Sequence, residues 1–349
     1  MTTLPDFKKG IDYWTAVDAT VDGVLGGFGN GSLPRVEQLS SRLFLLSLLP
    51  QLQSFPSPLS SPAHQRPPTK NKRYLGLDVG AGVGRVTKNT LLPLLDDVIT
   101  MEPVEHFIGA AKREASEGGW PFLEDRSGNA VSTTNRQKPS SSKNRDSDEE
   151  DESDQDENTP LDKMGNRIPR ARSSPKPIKG KRVWFIQAPL NDLDPVNPLN
   201  GKEAKSLGVV GMEGKGLGGG DESFGEKMGE VGYDVIWCQW CLGHLSNPEL
   251  VSFLKRCQAA LLPPSSSSNS KDTSVYNDPG AVIVVKENVC ENGPDGTAVS
   301  VLDEEDSSLT RSNKMWEEIF QQAGLKIVKE EVQLGLPQGL FMVKSWALR

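Results

Sequence analysis

Three glycines at every second position form the most informative pattern in the chain. They are Gly80, Gly82 and Gly84 in the sequence LDVGAGVGRVT, and they follow a short apolar run. Glycine permits a tight turn and lets a ligand approach the backbone and the start of the following helix. Nicotinamide-binding and S-adenosylmethionine-binding domains both use such a loop. The glycines alone therefore predict a nucleoside-type cofactor without choosing between the two.

Charged residues around the loop favour S-adenosylmethionine. The G-x-G-x-G spacing differs from the G-x-G-x-x-G dinucleotide fingerprint. Asp78 lies two residues before the first glycine, where it would repel a pyrophosphate but suits a ligand with sulfonium and ammonium groups. Arg85 directly follows the loop and can pair with that ligand's carboxylate, and Glu102 ends the next apolar run, where it can accept both ribose hydroxyls. The alternatives are a helix cap for Asp78 and a solvated strand end for Glu102.

The elements that would position these residues alternate between strand and helix patterns. Short apolar runs predict strands at YLGLDVG, DDVITMEP, VWFIQA, YDVIWCQW and AVIVVKEN. Helical spacing separates several of them, and SNKMWEEIFQQAG is expected to end at Gly324. LKIVKEEVQ and LFMVKSWAL follow each other without a helix, so they should pair antiparallel. We expect an α/β fold with a Rossmann-like, seven-stranded, doubly wound sheet and an antiparallel C-terminal edge.

Four segments interrupt this alternation. They cover about 53–72, 118–181, 196–228 and 263–278, and are rich in Pro and Ser, in charge, or in Gly; DSDEEDESDQDE in the second is an example. Such compositions stay solvated, so we expect disordered insertions. The domains are then an N-terminal helical cap over 1–52, an insertion over 53–72, and an interrupted Rossmann-like domain over 73–349.

Composition excludes several classes of protein. The 349-residue chain has a net charge of −8, which argues against nucleic-acid binding through phosphates. No run of about 18 apolar residues predicts a membrane span, and the N-terminus lacks a signal-peptide pattern, so we expect a cytoplasmic protein with the nucleus as a second compartment. Cys238 and Cys241 form C-x-x-C, but a zinc site would need ligands at irregular spacing, so we expect no metal.

Five motifs together resemble the α-N-terminal protein methyltransferases. The motifs are YW…TVDG.LGG, LD.GAG.GR, DVIW.QW..GHL, VK.N and LD..DSS.TR, and they stand in the family's order across 12–29, 74–116 and 232–349. Members of this family methylate the free α-amine of proteins that begin Xaa-Pro-Lys or Xaa-Pro-Arg once the initiator Met is removed. The resemblance implies a Rossmann-like methyltransferase that uses S-adenosylmethionine and adds methyl groups to protein N-termini.

The resemblance also implies three catalytic residues. An α-amine has an ordinary pKa of about 7.7–8.0 and is mostly protonated in a cell, so it must lose a proton before it can attack a methyl group. By the resemblance, Asp306 and His244 accept that proton, and Asn288 holds the amine by a hydrogen bond. A cap or a turn remains the structural alternative for each of these positions.

Further residues are implied on the two ligand sides. Trp14 and Trp240 would contact the first substrate residues, and Leu25 would line a slot for the proline ring. Asp303 and Ser308, together with Asp306, would read Lys or Arg at the third position. Core aromatics and a solvated loop are the alternatives. On the cofactor side, the resemblance adds Gln239 and the backbone near Leu190 and Asn191.

The expected substrates are exposed, basic protein N-termini, such as those of ribosomal or chromatin-associated proteins, and the expected enzyme is a monomer. An acidic mouth would suit such basic tails. Two rival functions stay open at this point. One is a methyltransferase of the same fold that acts on a lysine side chain or a small molecule. The other is a non-catalytic adaptor that keeps the fold.

Overall fold

The computed structural model describes residues 4–53, 73–123, 180–211, 230–263 and 280–349. The insertions expected over 53–72 and 263–278 lie almost entirely outside these ranges, as do the greater part of 118–181 and the second half of 196–228. No helix in the described ranges is long and apolar enough to cross a membrane.

The described residues form six α-helices and ten strands. The helices are α1 Phe7–Ala16, α2 Val21–Val24, α3 Leu33–Leu48, α4 Glu105–Ser116, α5 Asn247–Ala259 and α6 Asn313–Ala323. The strands are β1 Leu75–Val79, β2 Asp97–Glu102, β3 Arg182–Gln187, β4 Lys205–Gly211, β5 Val235–Gln239, β6 Val282–Cys290, β7 Ser300–Asp303, β8 Ser308–Ser312, β9 Ile327–Val332 and β10 Met342–Leu348.

One sheet runs through the molecule in the order β4-β3-β2-β1-β5-β6-β10-β9. Its central strands, β3, β2, β1, β5 and β6, pair in parallel, whereas β4, β9 and β10 run antiparallel to their neighbours. The doubly wound, mostly parallel sheet and its antiparallel C-terminal pair are thus confirmed. Strand order reverses direction between β1 and β5, and ligands of open α/β sheets bind at the carboxyl ends of the strands at such a point.

Apolar side chains cover both faces of the sheet, as parallel strands require. On one face, Leu77 and Ile283 belong to a buried cluster with residues of α5 and α6 such as Phe253. On the other face, Trp237 and Val284 belong to a second cluster with residues of α3 and α4. The cap helix α3 is therefore part of the core of the molecule, which fixes the cap to the sheet.

The strand count exceeds the expected seven because β4, β7 and β8 were not anticipated. β4 lies inside the segment 196–228, which we expected to be a featureless insertion. Its sequence, KSLGVVG, is mostly exposed and contains two glycines, so it carries no apolar strand pattern. Backbone pairing with β3 forms it instead, with Val183 opposite Val210.

The insertion expected over 118–181 is also shorter than its sequence implied. Trp120 is fully buried against the second cluster, and Leu123 is buried beside it. Both residues belong to the folded domain, although the glycines at 118 and 119 looked like the start of a linker.

The expected end of α6 is confirmed at Gly324, which adopts a left-handed φ of 79°.

Candidate active site

A cleft of about 810 Å³ opens at the carboxyl ends of β1 and β5, where the strand order reverses. Its lining comes from α1 and α2 of the cap, from the glycine loop after β1, and from the segments after β2, β3 and β5. The residues that line it are Phe7, Gly10, Ile11, Trp14, Val24, Leu25, Gly80, Ala81, Gly82, Arg85, Val86, Glu102, Pro103, Val104, Phe107, Leu190, Gln239, Trp240, Cys241 and His244.

The three loop glycines differ in what they contact. All have positive φ, at 64°, 57° and 75° for Gly80, Gly82 and Gly84. A Cβ on Gly80 would lie 2.3 Å from the Cβ of Cys241, and one on Gly84 would lie 2.7 Å from the Trp120 ring. Gly80 and Gly82 line the cleft, whereas Gly84 does not. The structure therefore places Gly84, which the sequence assigned to the cofactor, in the packing between loop and domain.

Glu102 closes β2 at the cleft wall and both of its oxygens accept backbone N–H bonds. Gly82 donates at 2.8 Å and Val104 at 2.9 Å. Burial raises the pKa of Glu102 to about 7, although these two bonds favour the ionised form. Its position fits the expected acceptor of ribose hydroxyls, and that role remains a prediction.

Asp78 does not reach the cleft, contrary to the expectation from its spacing. Side chains alternate along β1, and that of Asp78 is buried beneath the loop, where it accepts a hydrogen bond from the Thr87 hydroxyl. Burial raises its pKa to about 7, opposed by bonds from Thr87 and by the charge of Arg85. Asp78 thus links the end of β1 to the helical turn Thr87–Leu91 that follows the loop, which is a structural role.

Arg85 lines the cleft, and a buried ion pair with Glu37 of α3 holds one edge of its guanidinium. The guanidinium carbon lies 5.5 Å from the centre of the Trp240 ring.

Of the two residues expected beside the cofactor after β3, Leu190 lines the cleft. Asn191 does not, because it is exposed beyond the end of β3, where its carbonyl accepts a bond from Arg256.

Buried polar atoms at the cleft lack hydrogen-bond partners within the described chain. The Gln239 side chain uses its oxygen to accept the Trp237 indole N–H at 3.0 Å, and its amide nitrogen has no partner in the described chain. The Trp240 indole nitrogen has no partner there either. Buried polar groups are normally hydrogen-bonded. Two such atoms on neighbouring residues of one cleft therefore fit a polar ligand.

His244 and Trp14 meet across this cleft. The Trp14 indole N–H donates to Nε2 of His244 at 3.0 Å, which places the ring proton on Nδ1. Burial lowers the pKa of His244, and the negative charge of Asp306 opposes the shift. The imidazole is therefore neutral at pH 7, and its lone-pair nitrogen is the one that Trp14 occupies.

Gly10 of α1 is a site residue that the sequence gave no reason to select. A Cβ at this position would lie 2.9 Å from Nδ1 of His244 and 3.1 Å from the Asp306 carbonyl oxygen. The glycine therefore lets α1 lie directly against the imidazole. Because the contact joins positions 234 residues apart, only the folded chain shows it.

The other substrate-side residues surround the mouth of the cleft. Leu25 and Trp240 line it, and Trp240 has a positive φ of 54°, a conformation that non-glycine residues rarely adopt. Its backbone N–H donates to the carbonyl of Lys286 at 3.1 Å. This link to β6 holds the Trp240 backbone in place.

The acidic loop between β7 and β8 lies against α1 and does not line the cleft. Asp303 is exposed and accepts the backbone N–H of Glu305, and Asp306 is half-buried and accepts that of Ser308 at 3.0 Å. The Lys9 ammonium donates to the carbonyl of Glu304. Of this loop, the described contacts bring Asp306 close to His244, while Asp303 remains open to solvent.

Asn288 is half-buried near the end of β6 and is not among the residues that line the cleft. Its neighbour Glu287 was not among the site residues predicted from the sequence. One oxygen of Glu287 accepts the backbone N–H groups of Cys241 and Leu242, each at 2.9 Å, and so shapes the segment that carries His244. An acid directly before Asn288 in VVKEN is the signal that was available in the sequence.

Comparison with known proteins decides between the cofactor classes. The sequence profile of the "AdoMet dependent proline di-methyltransferase" family matches residues 5–126 and 193–349. The chain belongs to this family. It is an S-adenosylmethionine-dependent methyltransferase, as the charged residues around the glycine loop and the motif order predicted.

Curated relatives of this methyltransferase cover nearly its whole length. Alpha N-terminal protein methyltransferase 1 of Arabidopsis thaliana is 28% identical over 98% of the chain and 79% of the relative. The protein of that name in Schizosaccharomyces pombe is 27% identical over 98% and 95%. N-terminal Xaa-Pro-Lys N-methyltransferase 1 of Rattus norvegicus is 26% identical over 98% and 95%.

A solved structure supports the fold of the methyltransferase. A SAM-dependent methyltransferase of Leishmania major matches with a TM-score of 0.53 and 24% sequence identity, over 98% of this chain and 82% of the other.

The two cysteines of the C-x-x-C pattern belong to the buried core of the fold. Cys238 and Cys241 are buried free thiols, and the described residues contain no group of three or more His, Cys, Asp or Glu that could hold a metal ion.

Proposed function

We propose that this methyltransferase acts on the free α-amine of proteins that begin Xaa-Pro-Lys or Xaa-Pro-Arg. The observation that carries the proposal is His244, a neutral buried imidazole on the wall of the cofactor cleft, with Asp306 close enough to affect its charge. The names of the relatives support the proposal: those from Arabidopsis thaliana and Schizosaccharomyces pombe are alpha N-terminal protein methyltransferases, and the one from rat is an N-terminal Xaa-Pro-Lys N-methyltransferase.

S-adenosylmethionine supplies an activated methyl group on its sulfonium. An amine attacks that carbon only through a free lone pair, so the substrate ammonium must first give up a proton. Burial keeps His244 neutral at pH 7, and the carboxylate of Asp306 stabilises the imidazolium once the proton arrives. The acceptor nitrogen is Nε2, so the incoming amine replaces the Trp14 indole N–H there.

Substrate selection would depend on charge and shape at the mouth. The loop 303–306 carries four consecutive acids beside α1, and Asp303 remains exposed. These carboxylates suit a Lys or Arg at the third substrate position. Leu25 on the cleft wall provides an apolar surface for the ring of a proline at the second position.

The wider setting of the enzyme is also a proposal. We infer that it works as a monomer in the cytoplasm and nucleus on exposed N-termini of ribosomal or chromatin-associated proteins. The net charge of −8 supports basic partners of this kind.

A peptide series tests the substrate assignment. Ser-Pro-Lys-Arg, Ser-Pro-Glu-Arg and Ser-Ala-Lys-Arg peptides, each with a free N-terminus, are incubated with the enzyme and S-adenosylmethionine, and turnover is measured. We expect the first peptide to react at least about tenfold faster than Ser-Pro-Glu-Arg, since a charge-assisted contact contributes about 1.5–3 kcal/mol. It should also react faster than Ser-Ala-Lys-Arg, which lacks the proline ring that would pack on Leu25. Equal rates on all three would contradict the proposed selection.

A further inference from the structure

A buried carboxylate of the cap lies between two cations of the α/β domain. Glu37 of α3 is fully buried and pairs with the Arg85 guanidinium and, at 2.9 Å, with the Lys286 ammonium. Ser41, one turn further along α3, donates its hydroxyl to Glu37 at 2.6 Å. Burial opposes ionisation of Glu37, but the two cations outweigh it and lower its pKa to about 2. Glu37 is therefore a permanent anion shared by two elements.

The two cations have different surroundings. Lys286 is 1% exposed, and Glu37, Ser41 and Gln333 accept hydrogen bonds from its three N–H groups. Arg85 has five N–H donors, and Glu37 is the hydrogen-bond partner that its side chain has in the described chain. The remaining donors are available on a side chain that lines the cofactor cleft.

An arginine whose guanidinium is held along one edge is pre-organised to bind an anion along the other edge. A free Arg side chain carries about 2 kcal/mol of rotamer entropy, so fixing it before binding removes part of the cost of ordering it. The guanidinium also lies over the Trp240 ring, which limits its movement in a second direction. A carboxylate with two oxygens is the ligand that this fork geometry recognises best.

We propose that Glu37 is the positioning residue that holds Arg85 ready for the carboxylate of the cofactor. Its side chain does not line the cleft, so it acts through Arg85. The proposal rests on the methyltransferase function and adds that the N-terminal cap, through α3, takes part in cofactor recognition. Cap and cofactor site are thus linked by one buried ion pair.

Two matched ligands test the proposal by calorimetry. One is S-adenosylhomocysteine, and the other is S-adenosyl-3-thiopropylamine, which lacks only the carboxylate. For the wild-type enzyme we expect the first to bind at least about tenfold more tightly. The measured quantity is the dissociation constant of the thiopropylamine divided by that of S-adenosylhomocysteine. In Glu37→Gln this ratio should fall by about tenfold, because the affinity for S-adenosylhomocysteine drops and the affinity for the thiopropylamine does not.

Two further variants separate positioning from folding. Glu37→Asp keeps the charge but shortens the side chain, so the ratio should fall even if Glu37→Gln does not fold. Lys286→Met removes the other partner of Glu37 and should leave the ratio unchanged. A wild-type ratio in every Glu37 variant that folds, or an equal fall in Lys286→Met, would overturn the proposal. If the wild-type enzyme binds neither ligand, the cofactor assignment itself fails.

Discussion

The direction in which a buried acidic side chain points, and not its burial, separates the two acids beside the glycine loop. Glu102 and Asp78 are both buried, and burial raises the pKa of each to about 7. Glu102 points to the cleft and its bonds come from backbone groups, whereas Asp78 points beneath the loop to Thr87. The sequence identified both as acids beside a glycine loop but could not tell which side of the strand each occupies.

The raised pKa of Glu102 predicts a pH-dependent cofactor affinity. Ribose hydroxyls donate to the ionised carboxylate, so binding should favour the deprotonated form. As pH falls from 8 to 6, Glu102 takes up a proton in the free enzyme, and the dissociation constant of S-adenosylhomocysteine should rise, by at most about tenfold per pH unit below 7. Isothermal titration calorimetry at several pH values measures this.

Glu102→Gln provides the control for that titration. Its amide cannot ionise, so this variant should bind more weakly at pH 8 and show a flatter dependence between pH 6 and 8. The assignment of Glu102 would be contradicted by a wild-type affinity that does not change over this range. The same slope in both proteins would instead point to another titrating group, such as Asp78.

At the level of elements, α1 is the part of the cap that completes the site. Three contacts hold it: the Asp6 N–H to the Ser307 hydroxyl at 2.7 Å, Lys9 to the Glu304 carbonyl, and Trp14 to His244. These contacts join α1 to the acidic loop and to the segment after β5. If His244 accepts the substrate proton as proposed, the position of α1 determines the access of a substrate to it.

Substitution of Gly10 by alanine tests this dependence. The new Cβ would lie 2.9 Å from His244 Nδ1, so α1 must shift away from the imidazole. We expect turnover of a Ser-Pro-Lys-Arg peptide to fall by about tenfold or more, since displacements of this size at a reacting centre have large effects on rate. Alanine improves helix propensity by about 1 kcal/mol, which offsets part of the loss in stability.

Gly109 of α4 is the matched control. A Cβ there would meet nothing closer than the flexible end of Arg113, at 3.5 Å. Gly109→Ala should therefore keep wild-type turnover and show an equal or slightly higher Tm. If Gly10→Ala also retains wild-type turnover, α1 does not control the site in the way that we describe.

The elements show why sequence reasoning succeeded in some places and failed in others. Apolar runs predicted the buried central strands because a parallel strand is covered on both faces. The exposed strand β4 depends on backbone pairing with β3, which leaves no such pattern. Gly10 and Glu37 were missed because their roles depend on contacts with residues far along the chain, and a glycine or an acid in a helix has no distinctive spacing.

At the scale of the whole molecule, the cleft and the residues at which the described chain resumes after each gap lie at opposite ends of the central strands. The cleft is at the carboxyl ends of β1 and β5. Residue 73 precedes β1, residue 180 precedes β3, residue 230 precedes β5 and residue 280 precedes β6, so the chain returns from each gap at the amino ends of these strands. The described residues at these junctions therefore lie away from the cleft.

Removal of residues 264–279 tests this separation. Pro263 and Gly280 line the same small cavity, so a short Gly-Ser linker can join them. We expect the kcat/KM of the shortened enzyme for a Ser-Pro-Lys-Arg peptide to remain within about twofold of wild type, since no residue of the cleft changes. A loss of more than about tenfold, with an unchanged Tm, would show that this segment contributes to the site.

The central claim is that the enzyme methylates a free α-amine. Mass spectrometry tests it most directly on a Ser-Pro-Lys-Arg peptide incubated with the enzyme and S-adenosylmethionine, beside the same peptide with an acetylated N-terminus. We expect mass gains in steps of one methyl group on the free peptide and none on the acetylated one. Gains on both peptides would move the reaction to the lysine side chain, and gains on neither would contradict the proposed acceptor.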